Sequence, residues 1–214
     1  MQLPFTHDQF LDSLAAYNRT LWAGALLLWL LTLAALILLV RRRLSARQTG
    51  AFLAIHWAWA GIAYHWAFFA RINPAARLFG ALFVVQALLL LWFGMRGSQL
   101  AVSWGRRTHQ VLSAVFCVYA LAYPLLVVAA GLRWPRMPSF GVPCPTTLLT
   151  VGLLLGLEPG RLRGLSAIPW VWCVIGGSAA LLLGVPPDWM LIGGAVVLLW
   201  YVARPRALAG PGAA

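Results

Sequence analysis

Residues 21–40 read LWAGALLLWLLTLAALILLV, and Arg41, Arg42 and Arg43 follow at once. At a helical rise of 1.5 Å per residue, an uncharged stretch of this length crosses about 30 Å, the thickness of the hydrocarbon core of a bilayer. Inside hydrocarbon every backbone N–H and C=O needs an internal partner, which leaves helices or closed barrels. Because apolar and polar residues do not alternate as they do in a barrel strand, the stretch predicts a transmembrane helix that ends at the arginines.

The composition extends this interpretation to the whole chain. Of the 214 residues, 62% are hydrophobic and 9% are charged, whereas a soluble domain carries about a quarter charged residues. We therefore expect an all-α, polytopic transmembrane helix bundle with about seven spans, of which the fifth is short. After the first span at 21–40, the apolar runs predict spans at 51–70, 77–95, 110–132, 145–157, 167–183 and 189–202.

Three regions are expected along the chain. Residues 1–20 form an amphipathic helix on the membrane surface, because Thr6 and Gln9 have the spacing of a capping box and the apolar residues that follow share one side. Residues 21–203 form the transmembrane helical domain. Residues 204–214, rich in Gly and Ala, form a disordered cytoplasmic tail.

The positive charges predict the orientation of the chain. All sixteen cations are arginines, and they lie at the ends of the apolar runs. With the N-terminus outside, eleven arginines fall in cytoplasmic segments and five in periplasmic ones, which agrees with the positive-inside rule. If the short fifth helix did not cross, the counts would be seven and nine. We expect a periplasmic N-terminus, a cytoplasmic C-terminus, the lipid bilayer as partner, and no nucleic acid, despite the formal charge of +12.

The start of the fifth helix carries the strongest local signal, Pro143-Cys144-Pro145-Thr146-Thr147. Pro145 suits the first helical position, so the hydroxyls of both threonines are expected to point out of the helix start. About thirteen residues span only about 20 Å, which predicts a start below the outer surface beside the preceding Pro-rich loop. Transporters bind anions at such starts, and the helix dipole favours a thiolate. Alternatively, the prolines only turn the chain and Cys144 is packed.

The second span contains two ionisable residues, His56 and His65, which are functional candidates inside a membrane. Nine positions apart, they face opposite sides of a helix and cannot share one metal ion. His65 is expected at the depth of Cys144, and His56 at the depth of Cys117 and Cys173. Either set has the ligand types of a zinc or copper(I) site. The alternative is that each histidine donates or accepts a hydrogen bond within the bundle.

These signals define a candidate site near the outer surface and say little about chemistry. No nucleotide-binding, zinc-protease or serine-hydrolase motif is present, so we expect no cofactor and leave enzymatic activity open. The four acidic residues all fall outside the middle of predicted spans, which argues against a relay of carboxylates. The residues expected to bind a ligand are His65, Trp66, Asn73, Cys144, Thr146 and Thr147.

Three function classes remain open at this stage. The first is a transporter of a small solute or ion, or an accessory membrane protein, with an outward-facing polar cavity at the candidate site. The second is a membrane thiol or redox enzyme with Cys144 as the reactive thiol and His65 as its base. The third is a structural subunit without a pocket. Small residues in the last two spans are compatible with a homo-oligomer.

Four stretches also carry a family resemblance, and together they cover most of the chain. The stretches from Pro4 to Trp22, Gly61 to Ala76, Gly80 to Ala87 and Phe140 to Thr147 resemble the bacterial membrane proteins of the domain-of-unknown-function family numbered 6064. The resemblance implies a location in the bacterial inner membrane and implies no reaction.

Reporter fusions test the predicted orientation. Green fluorescent protein fused after residue 214 should fluoresce, because that end is expected in the cytoplasm. Alkaline phosphatase inserted between Arg133 and Arg136 should be active, because that loop is expected in the periplasm. Activity of the phosphatase at the C-terminus, with no fluorescence there, would contradict the orientation.

Overall fold

The computed structural model describes residues 4–96, 107–156 and 159–203, and of residues 159–163 it describes the backbone alone. The tail expected at 204–214 lies outside this part of the chain. The described residues fold into seven α-helices and no strands, which agrees with the all-α prediction. Five helical segments among them are long and apolar enough to cross a membrane.

The helices follow the predicted spans, except that α6 begins eight residues earlier and that three further differences are described below. Their bounds are α1 His7–Val40, α2 Ala46–Trp59, α3 Ala76–Met95, α4 Arg107–Ala129, α5 Pro143–Leu155, α6 Pro159–Leu183 and α7 Met190–Ala203. Short 3-10 helices at Phe69–Arg71 and Pro186–Trp189 precede α3 and α7.

Helix α1 joins the expected surface helix and the first span into one element of 34 residues. Leu21 alone has non-helical dihedral angles inside it (φ −120°, ψ 17°), so the helix bends where the two segments were expected to meet. The capping box is confirmed: Gln9 N–H donates to Thr6 Oγ1 at 3.2 Å and Thr6 N–H donates to Gln9 Oε1 at 2.8 Å. We refer to His7–Thr20 as the N-terminal segment of α1.

The second predicted span is not a single α-helix. After α2 the backbone widens into a π-helix at Ala60–Trp66, in which Ala67 N–H donates to Ile62 O at 3.2 Å. This segment packs tightly on α3, since a Cβ atom at Gly61 would lie 2.9 Å from the carbonyl oxygen of Gly80. π-helical turns are rare and occur often at functional sites.

Helix α5 is the centre of the bundle. All of its residues are buried except Cys144, which is half-buried, and α2, α4, α6, α7 and the π-helix all pack against it. A helix that is apolar on every side is expected to be enclosed. It begins at Pro143, two residues before the predicted position, with Val142 as N-cap. Both prolines fit because the first N–H groups of a helix have no partner within it.

In contrast to α5, the helices around it expose many of their apolar side chains. Leu27 on α1, Leu88 on α3, Leu125 on α4 and Val196 on α7 are each more than half exposed. A soluble monomer rarely exposes continuous apolar surface of this kind. The exposed apolar surface around a buried central helix is what a bilayer would cover.

Helices α6 and α7 form the tight hairpin expected from their glycine pairs. The chain turns at Gly184 (φ +62°). A Cβ atom at Gly176 or Gly177 would lie 2.9 Å from a side-chain carbon of Leu191 or Ile192, respectively. The two helices therefore approach each other through these small residues, as membrane helices commonly do.

Gly152 allows α5 to pack against α4 and gives a test of this core. A Cβ atom there would lie 2.6 Å from Cys117 Sγ and 3.0 Å from Ser113 O. Gly152→Ala should therefore cost about 1–3 kcal/mol of unfolding free energy. The control Gly193→Ala, where the nearest atom is Met190 Sδ at 3.9 Å, should be neutral or stabilising by about 0.5–1 kcal/mol. Unfolding by SDS in mixed micelles measures both, and equal stability of the two variants would contradict this packing.

Candidate functional site

The Pro-rich loop before α5 is held against the bundle by the N-terminal segment of α1, and its residues 137–142 are buried. Asn18 is fully buried, and its Nδ2 donates to Pro135 O at 2.7 Å and to Met137 O at 2.8 Å. Tyr17 Oη donates to Phe140 O at 3.0 Å. Buried irregular backbone needs partners for its carbonyl groups, and these two side chains provide them.

The same loop is fixed from a second side and at the surface. Trp59 Nε1 donates to Tyr17 Oη at 2.8 Å. At the surface, Arg136 pairs with Asp8 (2.7 Å) and Asp12 (3.1 Å). The loop and the N-terminal segment therefore form one unit that covers the start of α5.

A cavity of about 390 Å³ lies beside the start of α5, under the N-terminal segment of α1. Its walls come from α6, the π-helix, and the turn before α7. Most lining residues are apolar, and Phe5, Phe10 and Leu14 of the α1 region form part of the wall. The polar or ionisable side chains among the lining residues are Tyr64, His65, Asn73, Cys144, Trp172, Ser178 and Asp188.

His65 is the most unusual of these side chains. It is fully buried, and neither ring nitrogen has a hydrogen-bond partner among the described residues. Aromatic rings surround it, with the rings of Phe83 and Trp172 at centroid distances of 5.0 Å each and that of Phe79 at 5.8 Å. A buried polar group without a partner is costly, and the imidazole of His65 keeps an unused donor and an unused acceptor at the cavity wall.

Cys144 and Asp188 form a second polar group on the wall. Asp188 is buried, and its Oδ1 accepts a hydrogen bond from Tyr123 Oη at 2.6 Å. The thiol of Cys144 lies near this carboxyl group and interacts with it electrostatically. The group beside the thiol is therefore a carboxyl from the turn before α7.

Trp172 connects the two polar groups along the wall. Its ring lies against His65, and its indole N–H approaches the sulfur of Cys144, although it has no acceptor at hydrogen-bonding geometry among the described residues. The order along the wall is therefore His65, Trp172, Cys144, Asp188.

The cavity opens toward the apolar outer surface of α6. Val174 and Leu182 both line it and are 43% and 59% exposed. The cavity therefore reaches the exposed apolar surface of α6.

The structure brings together half of the residues predicted to bind a ligand. His65, Asn73 and Cys144 all line the cavity, and Asn73 Oδ1 also accepts from Ala75 N–H at 3.1 Å. Trp66 does not line it: its side chain is 43% exposed and its Nε1 donates to Arg77 O at 3.0 Å.

The two threonines are placed differently from the prediction. Thr146 Oγ1 donates to Val142 O at 3.0 Å, and Thr147 Oγ1 donates to Pro143 O at 2.9 Å. The prediction that their hydroxyls point out of the helix start is wrong, because each bonds a carbonyl four residues earlier, as buried threonines in helices commonly do. Neither residue lines the cavity.

The candidate metal ligands lie apart from this cavity. One ring nitrogen of His56 pairs with Thr32 Oγ1 at 3.0 Å and the other with Phe52 O at 2.9 Å. Cys117 and Cys173 are buried free thiols. Within the described residues, no group of three or more His, Cys, Asp or Glu side chains is placed to hold a metal ion.

Asp188 and its donor Tyr123 are the site residues that sequence reasoning missed. Asp188 lies before α7 and not in the middle of a span, as expected, but the 3-10 helix at Pro186–Trp189 turns it inward and it is buried. One signal was available: Tyr119 and Tyr123 lie one helical turn apart on α4 and both donate to this turn, Tyr119 to Pro187 O at 2.8 Å.

The fold and the site define an all-helical protein with a buried central helix and a mainly apolar cavity at its start. The model of the family described as "Family of unknown function (DUF6064)" matches residues 7–210, and the chain belongs to this family. No curated protein and no solved structure matches the sequence.

Two tyrosine variants test the buried carboxyl group. Tyr123→Phe removes the donor to Asp188 Oδ1 and should cost about 1–3 kcal/mol of unfolding free energy, because the carboxyl group loses a buried partner. Tyr119→Phe removes a donor to a backbone carbonyl at a less buried position and should cost about 0.5–1 kcal/mol. SDS unfolding compares the two, and a smaller loss for Tyr123→Phe would contradict this arrangement.

Proposed function

We propose that the chain is a multi-pass protein of the bacterial inner membrane, with a periplasmic N-terminus and a cytoplasmic C-terminus, that binds a small amphipathic molecule taken from the bilayer. The apolar part of the molecule lies along α6, and its polar end lies at His65, Cys144 and Asp188. In this proposal the protein acts as a binding or accessory protein, or as a carrier, for that molecule.

The single observation that carries the proposal is the unpartnered, fully buried imidazole of His65 on the wall of the cavity. Ligand sites are concave, largely apolar, and contain a few polar groups that fix orientation. The cavity has this composition, and its volume of about 390 Å³ suits a small molecule. A structural subunit without a pocket would have no reason to keep such a cavity next to an unsatisfied imidazole.

The geometry favours binding over the two finer alternatives. A transporter of polar solutes requires a polar, outward-facing cavity, whereas most of the lining residues are apolar and the opening lies on α6. A thiol enzyme with His65 as base requires the imidazole to contact the thiol, yet the groups that act on the Cys144 thiol are Asp188 and Trp172.

Filling the cavity tests the proposal in protein reconstituted into lipid nanodiscs. Alkylation of Cys144 by N-ethylmaleimide is followed by peptide mass spectrometry, and added 1-decanol should slow it at least severalfold by occupying the cavity. Ala179→Phe places a ring in the cavity and should therefore slow the alkylation of Cys144 even without decanol. Added decanol should then cause no further slowing. Val196→Phe, on the exposed side of α7, is the matched control and should behave as wild type.

Cys117 and Cys173 provide an internal reference in each sample. Both are buried and do not line the cavity, so decanol should leave their slow alkylation unchanged. Alkylation of Cys144 that is insensitive to decanol in the wild-type protein would contradict the proposed binding function.

A further inference from the structure

We infer that the molecule bound in this cavity has a neutral, oxygen-bearing ring as its polar end, of the quinol or quinone class, and not an anionic head group. This inference rests on the proposed function, because it specifies the chemistry of the polar end that the cavity receives. Three observations support it: the charges at the wall, the hydrogen-bonding capacity of His65, and the shape of the surrounding walls.

The charges at the wall disfavour an anion. Although the chain has sixteen arginines, no arginine among the described residues lines the cavity. The ionisable groups that do line it are His65, Cys144, Asp188 and Tyr64, and none of them is a fixed cation. A carboxylate or phosphate would enter beside the carboxyl group of Asp188 with no compensating charge, which is costly in a desolvated site.

The hydrogen-bonding capacity of the wall favours a neutral oxygen. A neutral imidazole has one N–H donor and one lone pair, and both are unused on His65. The carboxyl group of Asp188 uses Oδ1 for Tyr123. A hydroxyl oxygen can both donate and accept, and a ring carbonyl accepts, so a quinol or quinone gives His65 the partner that the protein withholds.

The walls favour a ring. Among the side chains that line the cavity, Trp172, Phe79 and Phe69 stand around His65 at centroid distances of 5.0, 5.8 and 6.0 Å. Aromatic rings pack well in edge-to-face and offset arrangements. An apolar tail on such a ring would leave through the opening at α6 into hydrocarbon.

Three probes with the same ten-carbon tail test the inference by protection of Cys144 in nanodiscs. Decylubiquinone has a neutral, oxygen-bearing ring that is fully substituted and does not itself alkylate thiols; decylbenzene has a ring without oxygen; decanoate has an anionic head. The concentration for half-maximal protection should be about tenfold lower for decylubiquinone than for decylbenzene. One buried hydrogen bond to His65 would increase the affinity by about this factor. Decanoate should protect no better than decylbenzene.

Two variants test whether the stronger protection by decylubiquinone comes from a contact between its polar end and His65. His65→Phe keeps a ring within the aromatic surroundings and should remove the advantage of decylubiquinone over decylbenzene, while protection by decylbenzene persists. Ile62→Phe adds the same ring to the same π-helix on its exposed side and should retain the advantage. If His65→Phe does not fold, Asp188→Asn is tested in its place. Decanoate should protect Asp188→Asn better than it protects the wild type, because the negative charge of Asp188 no longer repels the carboxylate of decanoate.

The outcomes separate this inference from the function it rests on. Equal protection by decylubiquinone and decylbenzene, or an advantage that survives His65→Phe, would overturn the ring inference while leaving a binding cavity. Tightest protection by decanoate would overturn it in favour of a fatty acid. No protection by any probe would overturn the proposed function itself.

Discussion

The structure depends on hydrogen-bond partners for the backbone carbonyl groups of the Pro-rich loop before α5, whose second half is buried in the helix bundle. Tyr17 and Asn18 donate to that loop from α1, and Trp59 fixes Tyr17 in turn. Without these donors the buried carbonyl groups would have no partners, which is costly. Because the loop is held there, α5 begins inside the protein, and the space beside its first turn becomes the cavity.

This arrangement explains why polar groups from distant parts of the chain meet at one wall. The wide turn of the π-helix presents Tyr64 and His65 together to the interior, and the 3-10 helix before α7 turns Asp188 toward Cys144. Each of these irregular segments lies at an end of a helix rather than in its middle. The regular helices form the scaffold, and the irregular segments supply the chemistry.

The regular part of the fold could be predicted from the sequence, and the irregular part could not. Apolar runs and their flanking arginines give the helices, and the Thr6–Gln9 spacing gives the first helix start, because these signals are local. Helix length predicted a similar depth for His65 and Cys144, whereas their place on one wall depends on how the helices pack. Asp188 was missed because its burial depends on Tyr123, 65 residues earlier, and Thr146 and Thr147 were misplaced because their hydroxyls bond locally.

The central claim is that a bound molecule in the apolar cavity at the start of α5 forms a hydrogen bond with the imidazole of His65. An experimental structure of the protein purified from its membrane and crystallised in a lipid mesophase tests it most directly. The account predicts density for a non-protein molecule between α6 and His65, within hydrogen-bonding distance of a ring nitrogen. A closed cavity in which both nitrogens of His65 bond to the protein itself would contradict it.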